Sequence, residues 1–546
     1  MKKSIINFLT LTLLLLMGAA NMCLAQLLDM DNTRINTDNG AAAQYNESVA
    51  INRQNPDNAV IVWQDMRSGY PRVGVAYTID SGVTWNEYLL DLPAYLSQSD
   101  PSAAADTDGN FFVCMIGRDT SAQSIGDIIV LRSSDGGISW TGPIIAVGGS
   151  PDYNDVMPKI AVDNTSFTSS GFIYVTWVRY ADDISSSLVY STQSSDFGHT
   201  FLSPVQVSDN PGIVLWPNVN IRSAFGNGDV DVCWFRYHYP GILFDHSVTE
   251  GWSFSSDYWP TVTGAVNNEI NGGIVVSTTP VMAADNQNGS SGFERAYLVY
   301  MDSSNSNWDI YCIGITSFFD NSEYIDFSSP VRVNDDSPSN GADQFIPAMA
   351  VDESGTIHVA FFDRRNDPDN LLYDVYYTSS SDFGDTWTPN VRVSNFSSDP
   401  SFPGVAGEIG NRIGIAAWGG QVVITWTDAR NGNTDIYASR LIETGITEKP
   451  APLPGDINLD DLYPNPFNNS VEIRYSSKTA RQIKVDVVDL LGRRVASLFD
   501  GACQAGSNSL IWNGKNSYGH SSGSGVYFVR LTVDNQTLLK KAVLLK

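Results

Sequence analysis

The stretch YYTSSSDFGDTW, residues 376–387, decides the fold. It reads as a short strand followed by a turn of the form Ser-x-Asp-x-Gly-x-Thr-Trp, built on Ser380, Asp382, Gly384, Thr386 and Trp387. In that spacing the carboxylate accepts hydrogen bonds from turn amides, the glycine takes a positive φ, and the indole folds back as an apolar plug. The turn recurs around Asp80, Gly82 and Trp85, around Asp135, Gly137 and Trp140, and around Asp196 and Gly198, where Phe201 replaces the Trp. A worn copy has Thr249 and Gly251. Positions 80, 135, 196 and 249 are 55, 61 and 53 residues apart, and 382 lies 133 further on. That last gap spans two periods and implies a repeat that has lost its turn.

The flanks complete the count. Each turn is preceded by a segment like Pro347-Ala-Met-Ala-Val-Asp352 and a strand like Ile357-His-Val-Ala-Phe-Phe362, and the pair recurs from residues 48, 101, 158, 217, 280 and 412. Seven repeats of four short strands, A to D, predict an all-β chain in the form of a seven-bladed β-propeller, because each small sheet buries its faces only against its neighbours around a ring. A β-solenoid has shorter repeats, and a two-sheet sandwich would not repeat. The seventh repeat stops at its C strand, whereas residues 33–36, Thr-Arg-Ile-Asn, precede the first A strand with no partner of their own. Residues 33–36 are therefore expected to close blade seven as its D strand and remove the open edge.

The chain has 546 residues, with 32 basic and 60 acidic side chains and a net charge of −28. Residues 27–455 hold 52 acidic against 19 basic side chains, which makes nucleic acid and anionic membrane poor partners. Residues 1–25 have a basic start, an apolar run and small residues up to Ala25, the pattern of a secretory signal peptide. No later segment has the length of a membrane-spanning helix. The remaining cysteines, Cys114, Cys233, Cys312 and Cys503, fall in separate repeats and in the tail, and are expected as buried thiols. The domain plan is thus a signal peptide (1–25), a propeller (26–445), a Pro-rich linker (446–460) and a small Ig-like β-sandwich (461–546).

The turns resemble the Asp-box, or BNR, repeats of the sialidase superfamily, over residues 33–445. The tail resembles the C-terminal sorting domain of the type IX secretion system, on Tyr463-Pro-Asn-Pro-Phe-Asn468, Leu491-Gly-Arg-Arg-Val495, Gly525-Val-Tyr-Phe-Val-Arg-Leu531 and the basic ending at Lys546. This second resemblance implies export through the periplasm and outer membrane to the cell surface or medium, with the secretion machinery as partner. The first says little of activity, because Asp-boxes also occur in non-enzymatic propellers. It places the turns on the face opposite the one where sialidases keep their site.

Strand B ends on that opposite rim. Its sequence there repeats as Trp63-x-Asp65-x-Arg67, Phe361-x-Asp363-x-Arg365 and Trp426-x-Asp428-x-Arg430, which favours a structural role tying a loop to the next blade. Blades three and four depart from the repeat with Arg179-Tyr180 and Arg236-Tyr237, where the others have Asp65, Asp302, Asp363 and Asp428. Two arginines with tyrosines facing carboxylates across a rim suit an acidic or hydroxyl-rich ligand. A sialidase needs three arginines, and Arg179, Arg236 and Arg412, with Glu408, are the residues available, although the Arg-Ile-Pro motif that opens the family's first blade is absent here. No motif assigns a catalytic residue. Metal-ligand spacings are missing, and no cofactor is expected apart from calcium at Asp106-Thr-Asp108-Gly-Asn110, where an ordinary hairpin turn explains the residues equally well. The resulting expectation is an exported propeller that binds carbohydrate or another extracellular polymer. A sialidase-type glycoside hydrolase and a structural adhesin are the alternatives.

Overall fold

The computed structural model describes residues 32–119, 125–165, 168–181, 185–210, 212–224, 227–237, 241–260, 269–285, 294–317, 325–401 and 409–442, and in the tail 457–459, 462, 464, 467–477, 479–488, 494–504, 506–516, 520–533 and 536–545. The signal peptide, Glu408, residues 446–456 of the linker and the blade-five turn expected to be lost lie outside the described residues. The chain divides into two compact units, residues 1–443 and 444–546.

The first unit is a seven-bladed β-propeller. Blades one, two, three and six are four-stranded antiparallel sheets whose strands follow chain order. Blade one, for example, runs Gln44–Ile51, Ala59–Asp65, Arg72–Thr78 and Asn86–Leu89. Blade four keeps three strands, and its outer place is taken by a single bridge from Phe244 to Tyr258. Blade five splits its outer place between Ile325–Phe327 and Val331–Arg332. In blade seven, Thr33–Arg34 pairs antiparallel with Asp435–Ile442, Thr33 opposite Ala438 and Arg34 opposite Tyr437. Arg34 and Asn36 then converge on Asp435, at 2.7 and 2.9 Å. The two ends of the propeller are thereby hydrogen-bonded into one sheet.

The apolar core lies between blades. Val60, Val62, Val73 and Val75 of blade one pack with Phe111, Val113, Met115, Ile129 and Leu131 of blade two, and the arrangement repeats around the ring. Second strands such as AVIVWQD are buried along their whole length, which is why they read as continuous apolar runs rather than alternating ones. The four cysteines are buried and free.

The turns close as their residue types dictate. Asp382 Oδ1 accepts the Thr386 amide at 2.9 Å, and the Ser380 hydroxyl accepts the Gly384 amide at 3.0 Å, with Gly384 at φ +83°. The same bonds recur at Asp80, Asp135 and Asp196. In the worn copy the Thr249 hydroxyl accepts the Ser253 amide at 3.0 Å, so a hydroxyl does the work of the carboxylate. At Asp106 the carboxylate accepts the amides of Asp108 and Asn110 and is buried, committed to its own hairpin.

The second unit is a small β-sandwich. One sheet holds Ile457–Leu459, Val471–Ser477 and Gly506–Trp512, and the other holds Arg494–Cys503, Arg481–Val488, Gly525–Val533 and Gln536–Leu544. Val471, Ile473 and Trp512 from the first meet Val485, Val529 and Leu531 from the second in one core.

Candidate functional site

The innermost strands line a channel along the propeller axis, and five of the seven are broken near their start by a β-bulge. The register slips between Tyr45 and Ser48, Ser99 and Ser102, Val156 and Lys159, Leu215 and Asn218, and Phe345 and Ala348. At each slip one non-glycine residue is left-handed: Asn46 (φ 60°), Asp100 (54°), Met157 (57°), Trp216 (51°) and Ile346 (49°). Such a conformation costs on the order of 1 kcal/mol per residue and persists only where the surroundings impose it. In five blades a proline follows this position (Pro101, Pro158, Pro217, Pro280 and Pro347), as expected where a strand is interrupted. Blade one has Glu47 there instead. Aligned on strand pairing, Thr279 and Arg412 take the bulge position in blades five and seven.

This ring of bulges forms the mouth of a cavity of about 360 Å³, lined by Asn46, Asp100, Asn154, Tyr180, Trp216 and Arg412 among others. It lies at the end of the channel where the second strands finish, opposite the Asp-bearing turns. Trp216 and Tyr180 are half-buried in its wall. Lys159, Thr279 and Arg412 are shared with a second cavity of about 180 Å³ deeper in the channel, which also includes Glu47. Below it, small side chains such as Ala50, Ala103, Ala161, Ala284 and Ala416 line the lower channel.

Three ionisable groups here are incompletely partnered, Glu47 buried and Lys159 and Arg412 half-buried in the channel wall. Glu47 is fully buried; its Oε2 accepts the Thr427 hydroxyl at 3.0 Å, while its Oε1 has no partner. Burial pushes its carboxyl up to about 8, against the opposing pull of its hydrogen bonds and of Arg412, so it holds a proton at neutral pH. Burial, and then the Arg412 charge, push the Lys159 ammonium well below the usual lysine range. Arg412 is lowered by burial, and its Nη1 has no hydrogen-bond partner. Among the described residues neither cation forms an ion pair within 4.0 Å. Asp100, in the same mouth, supplies a carboxylate that attracts both.

The residues expected on the rim divide. Arg412 and Tyr180 line the cavity. Asp65, Asp363 and Asp428 are fully buried, which corrects the picture of carboxylates facing a ligand. Each is bound by the arginine two residues on, with contacts of 2.7 Å from Arg67, Arg365 and Arg430. Those arginines reach back to the preceding blade rather than the next: Arg365 to Asp335 and Arg430 to Asn395, at 2.5 and 2.6 Å. Asp302 is also buried and caps the Ser304 amide at 2.7 Å. Arg179 is held by Asp155, which sits directly across the strand pair, where blades one and six set Gln44 and Gln344 opposite Asp65 and Asp363. Arg236 faces Val214 instead, with its guanidinium 5.7 Å from the Trp259 ring, and Tyr237 is exposed beside it.

The change from aspartate to arginine has a local cost. Trp63 and Trp426 donate their indole N–H to Asp65 and Asp428, at 3.0 and 2.8 Å. With arginine in the aspartate position, the indole nitrogens of Trp177 and Trp234 are buried without a partner.

Glu47 and Lys159 did not emerge from the sequence reading, although signals for both were present. Glu47 replaces a proline that five repeats share. Residues 26–445 contain seventeen arginines and one lysine, Lys159, which stands where the other blades have Ser48, Ser102, Asn218, Val281, Ala348 and Gly414.

The model of the secretion system C-terminal sorting domain matches residues 461–545. No curated protein matches the chain significantly. Among solved structures it is similar to an intramolecular trans-sialidase from Ruminococcus gnavus (10% identity, covering 66% of this chain and 98% of that one, TM-score 0.44). It is also similar to the leech intramolecular trans-sialidase (11%, 62% and 68%, 0.43). A third likeness is to the GH93 α-L-arabinofuranosidase of Fusarium graminearum (11%, 64% and 95%, 0.39). The chain is a seven-bladed propeller that ends in a type IX secretion system sorting domain and is exported on that tail to the cell surface or medium.

Proposed function

We propose that the propeller binds carbohydrate, with the ligand seated in the mouth of the central channel. One observation carries this reading: Trp216 and Tyr180 flank a cavity of about 360 Å³ whose wall also holds the amides of Asn46, Asn154 and Asn411 and the Asp100, Lys159 and Arg412 side chains. Aromatic faces cover the apolar side of a sugar ring, amides match its hydroxyls, and an unpaired guanidinium suits an acidic substituent. Arg236, Tyr237 and Trp259 extend a polar and aromatic surface outward on blade four. A glycan array on the purified propeller, followed by calorimetry with the best ligand, tests the reading. Trp216→Ala is expected to weaken binding roughly tenfold or more. Binding unchanged by Trp216→Ala and by Arg412→Ala together would overturn the assignment to this cavity.

A second reading, glycoside hydrolysis, is favoured by Glu47. A protonated carboxyl in the same channel as the Asp100 carboxylate has the makings of an acid and base pair. Turnover of fluorogenic glycosides that is lost in Glu47→Gln supports hydrolysis; no turnover on any glycan that binds leaves the propeller a lectin.

A further inference from the structure

We propose that Lys159 is a carbonyl-capturing nucleophile that condenses with an aldehyde entering through the mouth cavity, such as the open-chain form of a reducing sugar, to form an imine. The inference uses the same cavity but does not depend on the carbohydrate reading.

Three observations carry it. Lys159 is the single lysine of residues 26–445, in a unit that otherwise uses arginine for every positive charge. Arginine serves wherever a fixed cation or a bidentate bond is needed, so a lone lysine marks a place where the other property of an amine, the ability to lose its proton and attack, has a use. The side chain lies where the mouth and the deeper cavity join, and among the described residues it has no ion-pair partner within 4.0 Å. A neighbouring cation, Arg412, and the surrounding protein both favour the neutral amine, the environment that activates nucleophilic lysines. Cys114, Asp100 and Glu47 are the other ionisable groups that face it. The Cys114 thiol is pushed up to about 12 and Glu47 to about 8, both by burial, which favours their neutral forms at neutral pH.

The neutral Nζ attacks the carbonyl carbon, a C–N bond forms, and the carbonyl π pair moves to oxygen, which takes a proton from water while the ammonium N–H gives one up to water, leaving a neutral carbinolamine. Protonation of the hydroxyl lets it leave as water while the nitrogen lone pair forms C=N, and the iminium N–H proton returns to solvent. One amine and one aldehyde enter; one imine and one water leave, with no oxidant or reductant consumed. Solvent carries these protons, because the Glu47 carboxyl is fully buried and does not open on the mouth cavity.

The test is reductive trapping on the full chain. The protein is incubated with glycolaldehyde and sodium cyanoborohydride at pH 7, and labelling is followed at each lysine by peptide mass spectrometry. Lys515, exposed in the tail, is the internal reference. Each unit of pKa depression raises the neutral fraction of an amine about tenfold, so Lys159 is expected to label more than about tenfold faster than Lys515. Its rate should level off at a pH below the usual lysine range. Labelling of Lys159 no faster than Lys515 in the natively folded protein overturns the proposal. Loss of glycan binding with fast labelling retained would reject the carbohydrate reading alone.

Discussion

Arg179 grips Asp155 through two parallel bonds, Nε to Oδ1 and Nη2 to Oδ2, each 2.8 Å long, and its guanidinium lies 3.6 Å from the centre of the Tyr153 ring. Tyr190 covers the same group at 4.6 Å. A fork held this way has little capacity left for a ligand. Arg179→Ala should therefore destabilise the propeller, by roughly 3 kcal/mol, because it strands the buried Asp155 carboxylate. Urea unfolding measures the loss, and glycan affinity should stay near that of the parent. A large loss of affinity at unchanged stability would return Arg179 to the binding site.

The strand that closes the ring offers a sharper test. Removing residues 32–38 deprives Asp435 of both Arg34 and Asn36 and leaves the edge of Asp435–Ile442 unpaired. A cost of about 3 kcal/mol or more follows from the buried carboxylate alone. The urea midpoint should fall accordingly, and an unchanged midpoint would mean that the ring is held by its interblade cores without the clasp.

The Asp-bearing turns make stability sensitive to acid. Asp196 is drawn down to about 2: slight burial works to raise it, but the Thr200 hydroxyl and amide and the Ser194 hydroxyl outweigh that effect. Asp80, Asp135 and Asp382 are lowered by the same set of bonds. A folded-state pKa below the unfolded value contributes stability above about pH 4 that is lost as pH falls through 2. Asp196→Asn should flatten that part of the stability profile. If melting temperatures between pH 4 and pH 2 decline equally in parent and variant, the turn carboxylates are not responsible.

Glu47 has the opposite sign. Its folded-state pKa of about 8 lies above the unfolded value, so the folded chain holds a proton that the unfolded chain has released. Stability contributed by this site is full below about pH 4.5 and declines as pH rises towards 8. Glu47→Gln keeps the hydrogen bond to Thr427 and removes the titration. It is expected to stabilise the protein at pH 8 relative to the parent and to make little difference at pH 4. Stabilisation of equal size at both pH values would show that Glu47 does not hold its proton on folding.

Much of the architecture was legible because it is repeated. Asp80, Asp135, Asp196 and Asp382 stand in the same local motif, and a local motif needs only its own turn to close. The rim aspartates were only partly legible. Their repetition correctly indicated a structural role, but the burial of Asp65, Asp363 and Asp428 follows from packing that no single repeat contains. Arg179 and Arg236 look alike in sequence and differ in the structure, because the residue across the strand pair is Asp155 in one blade and Val214 in the other.

What the sequence by itself determined is the number of blades, the hairpin chemistry of the turns and the exported tail, all of which depend on spacing within a repeat. Only the tertiary structure decided the site. Glu47, Lys159 and Arg412 come from blades one, three and seven and are separated by more than a hundred residues at each step. Closing the ring brings their blades around one channel and replaces part of their surrounding solvent with protein. Their unusual protonation is a property of that shared enclosure, because desolvation depends on what surrounds a group in space and not on its neighbours along the chain.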